Sequence, residues 1–198
     1  SATCKTEKCG DNVKQNNEEC DDGNMNDGDA CTNACKLNAR LVFVTSQEYD
    51  GNLGGFSGGD MRCQARAMAA GLPGTYMAWL GDGDTSVGPA QRFTLKYNGL
   101  YVLPNGTKVA DNWNDLIDGS LDAAINITET GAMANNSETN VWTNVDPDGT
   151  HNDQFDCGTW TNNTQMGNRG SMTATNNQWT DNGQASCSST YRLYCFQQ

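Results

Sequence analysis

Trp179-Thr180-Asp181-Asn182-Gly183-Gln184-Ala185-Ser186-Cys187, followed shortly by Tyr191-Arg192-Leu193-Tyr194-Cys195-Phe196, is the stretch of this 198-residue chain on which the fold turns. A tryptophan beside a polar turn, then aromatic and branched residues around a cysteine, reads as short buried elements at the end of a domain. The two cysteines here need partners, and beyond residue 35 the only others are Cys63 and Cys157. Four cysteines permit three pairings, and spacing alone selects none of them.

Working outward, Arg40-Leu41-Val42-Phe43-Val44-Thr45 is an apolar run that suits a buried strand. Composition changes after Lys36, which divides the chain into a cysteine-rich module, residues 1–37, and a larger domain, residues 38–198. A glycine-rich stretch from Asp50 to Gly59 leads into a helix predicted over Asp60 to Ala70, with Asp in its first turn and Gly71 and Pro73 beyond its end. Ala78-Trp79-Leu80 reads as a second strand, and Tyr101 to Ala110 as a hairpin turning at Asn105-Gly106. Loops dominate from Asp111 to Phe155, and short candidate elements follow around Cys157 to Thr161, Gln178 to Thr180 and Tyr191 to Phe196. No repeat of fixed period is visible.

Cys63 on the helix, Ala78-Trp79-Leu80-Gly81, Cys157, Trp179-Thr180-Asp181, Cys187 and Leu193-Tyr194-Cys195-Phe196 together resemble the C-type lectin-like domain. The opening Leu41-Val42-Phe43-Val44-Thr45-Ser46 and the closing Arg192-Leu193-Tyr194-Cys195-Phe196 are similar to a bacterial branch of that superfamily. The resemblance implies an α+β fold with one main helix, small antiparallel sheets and long loops. It also implies an outer bridge from Cys63 to Cys195 and an inner one from Cys157 to Cys187. The outer bridge closes a loop of about 130 residues, for which chain entropy suggests about 5 kcal/mol. Trp79 and Trp179 match core positions of the family, which leaves Trp113, Trp142 and Trp160 open to sugar stacking or to packing.

Lectins of that family hold calcium with an acid-Pro-Asn or amide-Pro-Asp triplet, a further acid before the middle cysteine, and the Asn-Asp of a strand motif. Matched residue by residue, the resemblance implies Asp146, Asp148, Asp153 and Asp181 as calcium ligands. An oxygen-only set suits Ca2+ and not Zn2+. The chain departs from the pattern in that Asp146-Pro147-Asp148 is neither sugar-discriminating triplet and Thr180 stands where the motif has Asn. Asp146-Pro147-Asp148-Gly149 reads equally as a plain turn. Asp82-Gly83-Asp84 and the run Asp111, Asp115, Asp118, Asp122 are further acidic clusters, the latter readable as a solvated face or a structural calcium site.

The front of the chain has too few apolar residues to be stabilised by burial, so crosslinks and a metal become the expected supports. Asp22, Asn24 and Asn26 alternate ahead of Gly28 as the oxygen ligands of a calcium loop do, although the same residues suit a solvated Asx turn. Cys9-Gly10-Asp11, Glu18-Glu19-Cys20-Asp21-Asp22-Gly23-Asn24 and Gly28-Asp29-Ala30-Cys31, with Cys35, resemble a short cysteine-rich repeat of myxobacterial and other bacterial surface proteins. The resemblance implies an extracellular module with Cys9, Cys20, Cys31 and Cys35 bridged in an order left open. Cys4 is then unpaired or intermolecular.

Nine cysteines crowded in this way point to an oxidising, extracellular or cell-surface setting. A net charge of -12 argues against nucleic acid or anionic lipid as partners and favours cations. No stretch approaches the roughly 20 apolar residues of a membrane span, and any export signal is expected to have been removed. Catalysis has little to build on, because His151 is the single histidine and no serine or cysteine has an evident base. Sequons at Asn105, Asn126, Asn135 and Asn162 make the chain a candidate glycoprotein. The expected function is a non-enzymatic, disulfide-rich surface protein that uses calcium-ordered loops for glycan or protein recognition and adhesion. The alternative is a structural subunit of an extracellular filament or sheath, self-assembling through the front module and the lectin-like domain.

Overall fold

The computed structural model describes residues 9–13, 15, 18, 21, 23–25, 31–36, 38–135, 137–152 and 155–198. In chain order the strands are β1 Ala39–Val44, β2 Tyr76–Ala78, β3 Leu100–Val102, β4 Lys108–Ala110, β5 Asn140–Trp142, β6 Met166–Ser171, β7 Gln184–Ser186 and β8 Arg192–Gln197. One long helix, α1 Gly55–Ala69, is joined by the single turns α2 Pro89–Arg92 and α3 Trp113–Leu116 and a 3-10 turn Asn177–Trp179. The architecture is therefore mixed α+β, mostly sheet with few helices.

The strands form one sheet in the order β4-β3-β1-β8-β5-β6-β7, with β2 also paired to β8. β8 is antiparallel to β1, with Phe43 opposite Cys195, and antiparallel to β2, with Ala78 opposite Cys195. Contrary to the expectation of antiparallel pairing alone, β1 runs parallel to β3 and β5 parallel to β8. The long connection from β1 through α1 is what permits a parallel return.

Alternation along β1 and β8 splits the interior in two, because successive strand side chains point to opposite faces. Phe43, Leu193 and Cys195 join Cys63, Ala67, Leu80, Trp142, Cys157 and Cys187 on the α1 side. Val42, Val44, Tyr194 and Phe196 join Trp79, Phe93, Trp113 and Trp179 on the other, beneath the long irregular segments. The strand read at Ala78-Trp79-Leu80 ends at Ala78, and Trp79 and Leu80 leave the ladder fully buried, one in each core.

α1 begins five residues before the predicted start, since Gly54 and Gly55 turn the chain at positive φ and Arg62 donates to the carbonyls of Leu53 and Gly58. Arg92 ties this helix to the sheet: its guanidinium donates to both oxygens of Asp60 at 2.8 Å and to the Ala78 carbonyl at 2.9 Å, and lies over the Phe56 ring. Fully buried Glu129 accepts from Arg66 and from Ser46, fixing the segment after Ile127 to the same helix. Three disulfides join described residues, Cys9 to Cys35, Cys63 to Cys195 and Cys157 to Cys187, and Cys31 is disulfide-bonded as well. Such bonds fit an oxidising compartment. Among the described residues no helix is long and apolar enough to cross a membrane.

Candidate functional site

Asp146-Pro147-Asp148-Gly149 forms a tight turn, with the Gly149 amide donating to the Asp146 carbonyl and the Asp146 amide to the Thr150 carbonyl. Gly149 stands against Trp113 and Ile117, and Pro147 lies beside Gly119, so the turn is seated on the core of α3. Asp181 follows the 3-10 turn, its amide bonded to the Asn177 carbonyl. Asp146 accepts from the Asn152 carboxamide, Asp148 from the Thr150 amide and hydroxyl, and Asp181 from the Asn168 carboxamide. Asn152 and Asn168 are therefore members of this constellation that sequence reasoning passed over.

Electrostatics distinguish Asp146 from Asp148. Burial pushes the Asp146 carboxyl above its ordinary value against the bond from Asn152, and the charges of Asp148 and Asp181 push it further, while His151 opposes them. The Thr150 hydroxyl and amide hold Asp148 below its ordinary value. As a set, the oxygens of Asp146, Asp148 and Asp181 do not converge within 4.8 Å. Asp153 lies outside the described residues.

Thr180 stands apart from the acids. It is fully buried, its hydroxyl accepting from Trp79 Nε1 at 2.7 Å and donating to the Val145 carbonyl at 3.0 Å, while Thr143 donates to its carbonyl at 2.6 Å. This side chain faces the core and offers nothing to a cation beside Asp181.

The other acidic clusters are occupied by the chain itself. Asp111, Asp115 and Asp122 do converge, and the Lys108 ammonium sits among them, 2.6 Å from Asp111 and 2.9 Å from Asp122. A tethered cation thus stands where the calcium reading would put an ion. Asp156 is buried and accepts from the amides of Gly83 and Thr159; burial raises its carboxyl against those bonds, and Asp82 and Asp84 add to the rise. Asp82 turns inward to accept from the amides of Asp84 and Thr85.

In the front segment the organising residue is Asp21. Its carboxylate accepts from the amides of Gly10, Asp11, Asn12 and Gly23 at 2.9 to 3.2 Å. Desolvation would raise this acid, and the four amides together outweigh it and hold it below its ordinary value. Glu18 and Asp21 approach Cys35, whose sulfur is committed to Cys9. Asn24 is exposed, and the readings placed on Cys4, Cys20, Asp22 and Asn26 fall outside the described residues.

All five tryptophans are buried, including Trp113, Trp142 and Trp160, so none presents a face for sugar stacking. Nδ1 of His151 is buried without a hydrogen-bond partner among the described residues. Of the sequon asparagines, Asn105 and Asn135 are exposed, and Asn162 and Asn126 are half-buried, Asn126 between buried Ile125 and Ile127.

Compared with known proteins, residues 1–36 match the family model of a domain of unknown function, DUF4215. No curated protein matches the chain.

Proposed function

We propose that this is a non-enzymatic extracellular surface protein whose larger part is a C-type lectin-like binding domain, in which a calcium ion orders the loops around Asp146 and Asp181 for recognition of a glycan or a surface protein. One observation carries the reading. Half-buried Asp146 is pushed upward by burial, the charges of Asp148 on its own loop and Asp181 on another add to the rise, and the Asn152 carboxamide and then His151 oppose it. A divalent cation drawn between these acids would offset that burial and mutual repulsion, taking their hard oxygens as ligands. Lacking an exposed tryptophan, recognition would proceed through the ion and the surrounding amides, Asn152 and Asn168.

Calorimetry and thermal unfolding with and without calcium provide the test. Calcium at 100 times its Kd should stabilise the chain by about 2.7 kcal/mol. Asp146→Asn combined with Asp181→Asn should abolish both the heat of binding and the stabilisation. Capture on glycan or surface-protein arrays should be lost with chelator. Absence of any calcium-dependent shift in Tm at millimolar calcium would sink the calcium reading.

A further inference from the structure

We propose that Asn105, Asn135 and Asn162 are acceptors for N-linked glycans in the folded protein, and that Asn126, with the same tripeptide pattern, is not. The inference shares the extracellular setting of the proposed function but is independent of calcium. The four tripeptides are Asn105-Gly106-Thr107, Asn126-Ile127-Thr128, Asn135-Asn136-Ser137 and Asn162-Asn163-Thr164, each a formal acceptor.

Transfer to such a site joins the anomeric carbon of an oligosaccharide to the asparagine Nδ2. The bond from that carbon to a polyprenyl pyrophosphate breaks, the pyrophosphate leaves with the electron pair, and the Nδ2 proton passes to a base on the transferase. The acceptor must therefore present both the carboxamide and the hydroxyl two residues on.

Three sites do so in the same geometry. The Thr107 amide donates to Asn105 Oδ1 at 3.1 Å and the Ser137 amide to Asn135 Oδ1 at 3.0 Å. Asn162 Oδ1 accepts from the Thr164 amide at 2.6 Å and its hydroxyl at 2.8 Å. Each asparagine is held by its oxygen end in an Asx turn, and Thr107, Ser137 and Thr164 are all exposed.

Asn126 is itself half-buried, as Asn162 is, but its tripeptide is tied into the fold through backbone and hydroxyl. The Val44 amide of β1 donates to the Ile127 carbonyl, and the Ala134 amide to the Asn126 carbonyl. Thr128 is 4% exposed, and its hydroxyl donates to the Ala132 carbonyl at 3.1 Å. Neither the backbone nor the hydroxyl can be handed to an enzyme without opening the fold.

The test offers purified, oxidised, unglycosylated protein to a single-subunit oligosaccharyltransferase with a synthetic polyprenyl-linked oligosaccharide. A reduced and alkylated sample runs alongside, and site occupancy is read by peptide mass spectrometry. Expected is oligosaccharide on Asn105, Asn135 and Asn162 in both samples, and on Asn126 in the unfolded sample alone. Modification of Asn126 in the folded protein, refusal of any of the other three there, or refusal of Asn126 in the unfolded chain would each overturn the proposal.

Discussion

Thr180 shows how one hydroxyl can decide what a motif is for. Placed between Asp181 and the Trp179 ring, it closes a buried chain from Trp79 Nε1 through its own oxygen to the Val145 carbonyl. Thr180→Val keeps the shape but leaves that donor and acceptor unpaired in the core, which should cost about 1–3 kcal/mol in denaturant unfolding at unchanged slope. No loss of stability would mean that the network is not maintained in solution. Asp21 is the second such residue. Because its folded value lies below the ordinary 3.8, it contributes stability that is fully present above pH 3.8 and is lost as pH falls through the lower folded value. Amide shifts of Gly10, Asn12 and Gly23 should share one titration with a midpoint below 3.8, and a midpoint at or above that value would contradict the nest. Only part of this was readable in sequence. Asp21 two residues before Gly23 is the ordinary Asx-turn signal, but the convergence of Gly10, Asp11 and Asn12 on it depends on how the segment closes, which residue spacing does not encode. Alternation therefore drew attention to Asp22, Asn24 and Asn26.

Among the elements, the turn Cys157 to Trp160 is the one no propensity anticipates. Cys157, Gly158, Thr159 and Trp160 all have φ between 55 and 60°, a full turn of left-handed helix. L-residues pay about 1–2 kcal/mol each for this conformation, so it persists only where surroundings over-determine it. Here the Asp156 carboxylate accepts the Thr159 amide, Trp160 Nε1 donates to the Gly81 carbonyl at 2.8 Å, and Cys157 is bridged to Cys187. Gly158→Ala should destabilise by about 1 kcal/mol, whereas Thr159→Gly should leave Tm unchanged or raise it; equal losses for both would deny the left-handed turn. The strand β6 was missed for a related reason. Met166-Gly167-Asn168-Arg169-Gly170-Ser171 has poor strand propensity, yet a Cβ on Gly167 would come within 2.9 Å of the Trp142 ring, and one on Gly170 within 1.9 Å of the Trp179 carbonyl. The glycines are there because the Cys157 sulfur and the Trp142 ring fill the side-chain space at one and the Trp179 to Thr180 backbone fills it at the other. By contrast β1, the β3–β4 hairpin and most of α1 follow local pattern and could be read directly, since their burial and their propensity agree.

For the whole molecule, the sheet of β1 and β8 divides two cores, and the long segment from Leu80 to Asp181 lies between elements held by disulfides at both ends. Cys63 to Cys195 ties α1 to β8 across 132 positions, and Cys157 to Cys187 spans 30. Chain entropy assigns the first about 5 kcal/mol and the second about 3.6 kcal/mol. Removing the second also frees the left-handed turn, so part of its loss is returned as released backbone strain. Both pairs are fully buried, which makes the cavity left by replacement similar in kind. The paired substitution Cys63→Ala with Cys195→Ala should therefore lower stability by clearly more than Cys157→Ala with Cys187→Ala, measured by urea unfolding under oxidising conditions. The second variant should keep α1 and its contacts with β2 while altering the environment of Trp142, Trp160 and the acidic loops nearby. Equal stabilities for the two variants would mean that the left-handed turn stores no strain and that loop length does not govern these bridges. A more damaging loss from the inner pair would mean that the Cys157 to Trp160 turn supports the larger domain, and that its bridge holds the fold and not merely the loop.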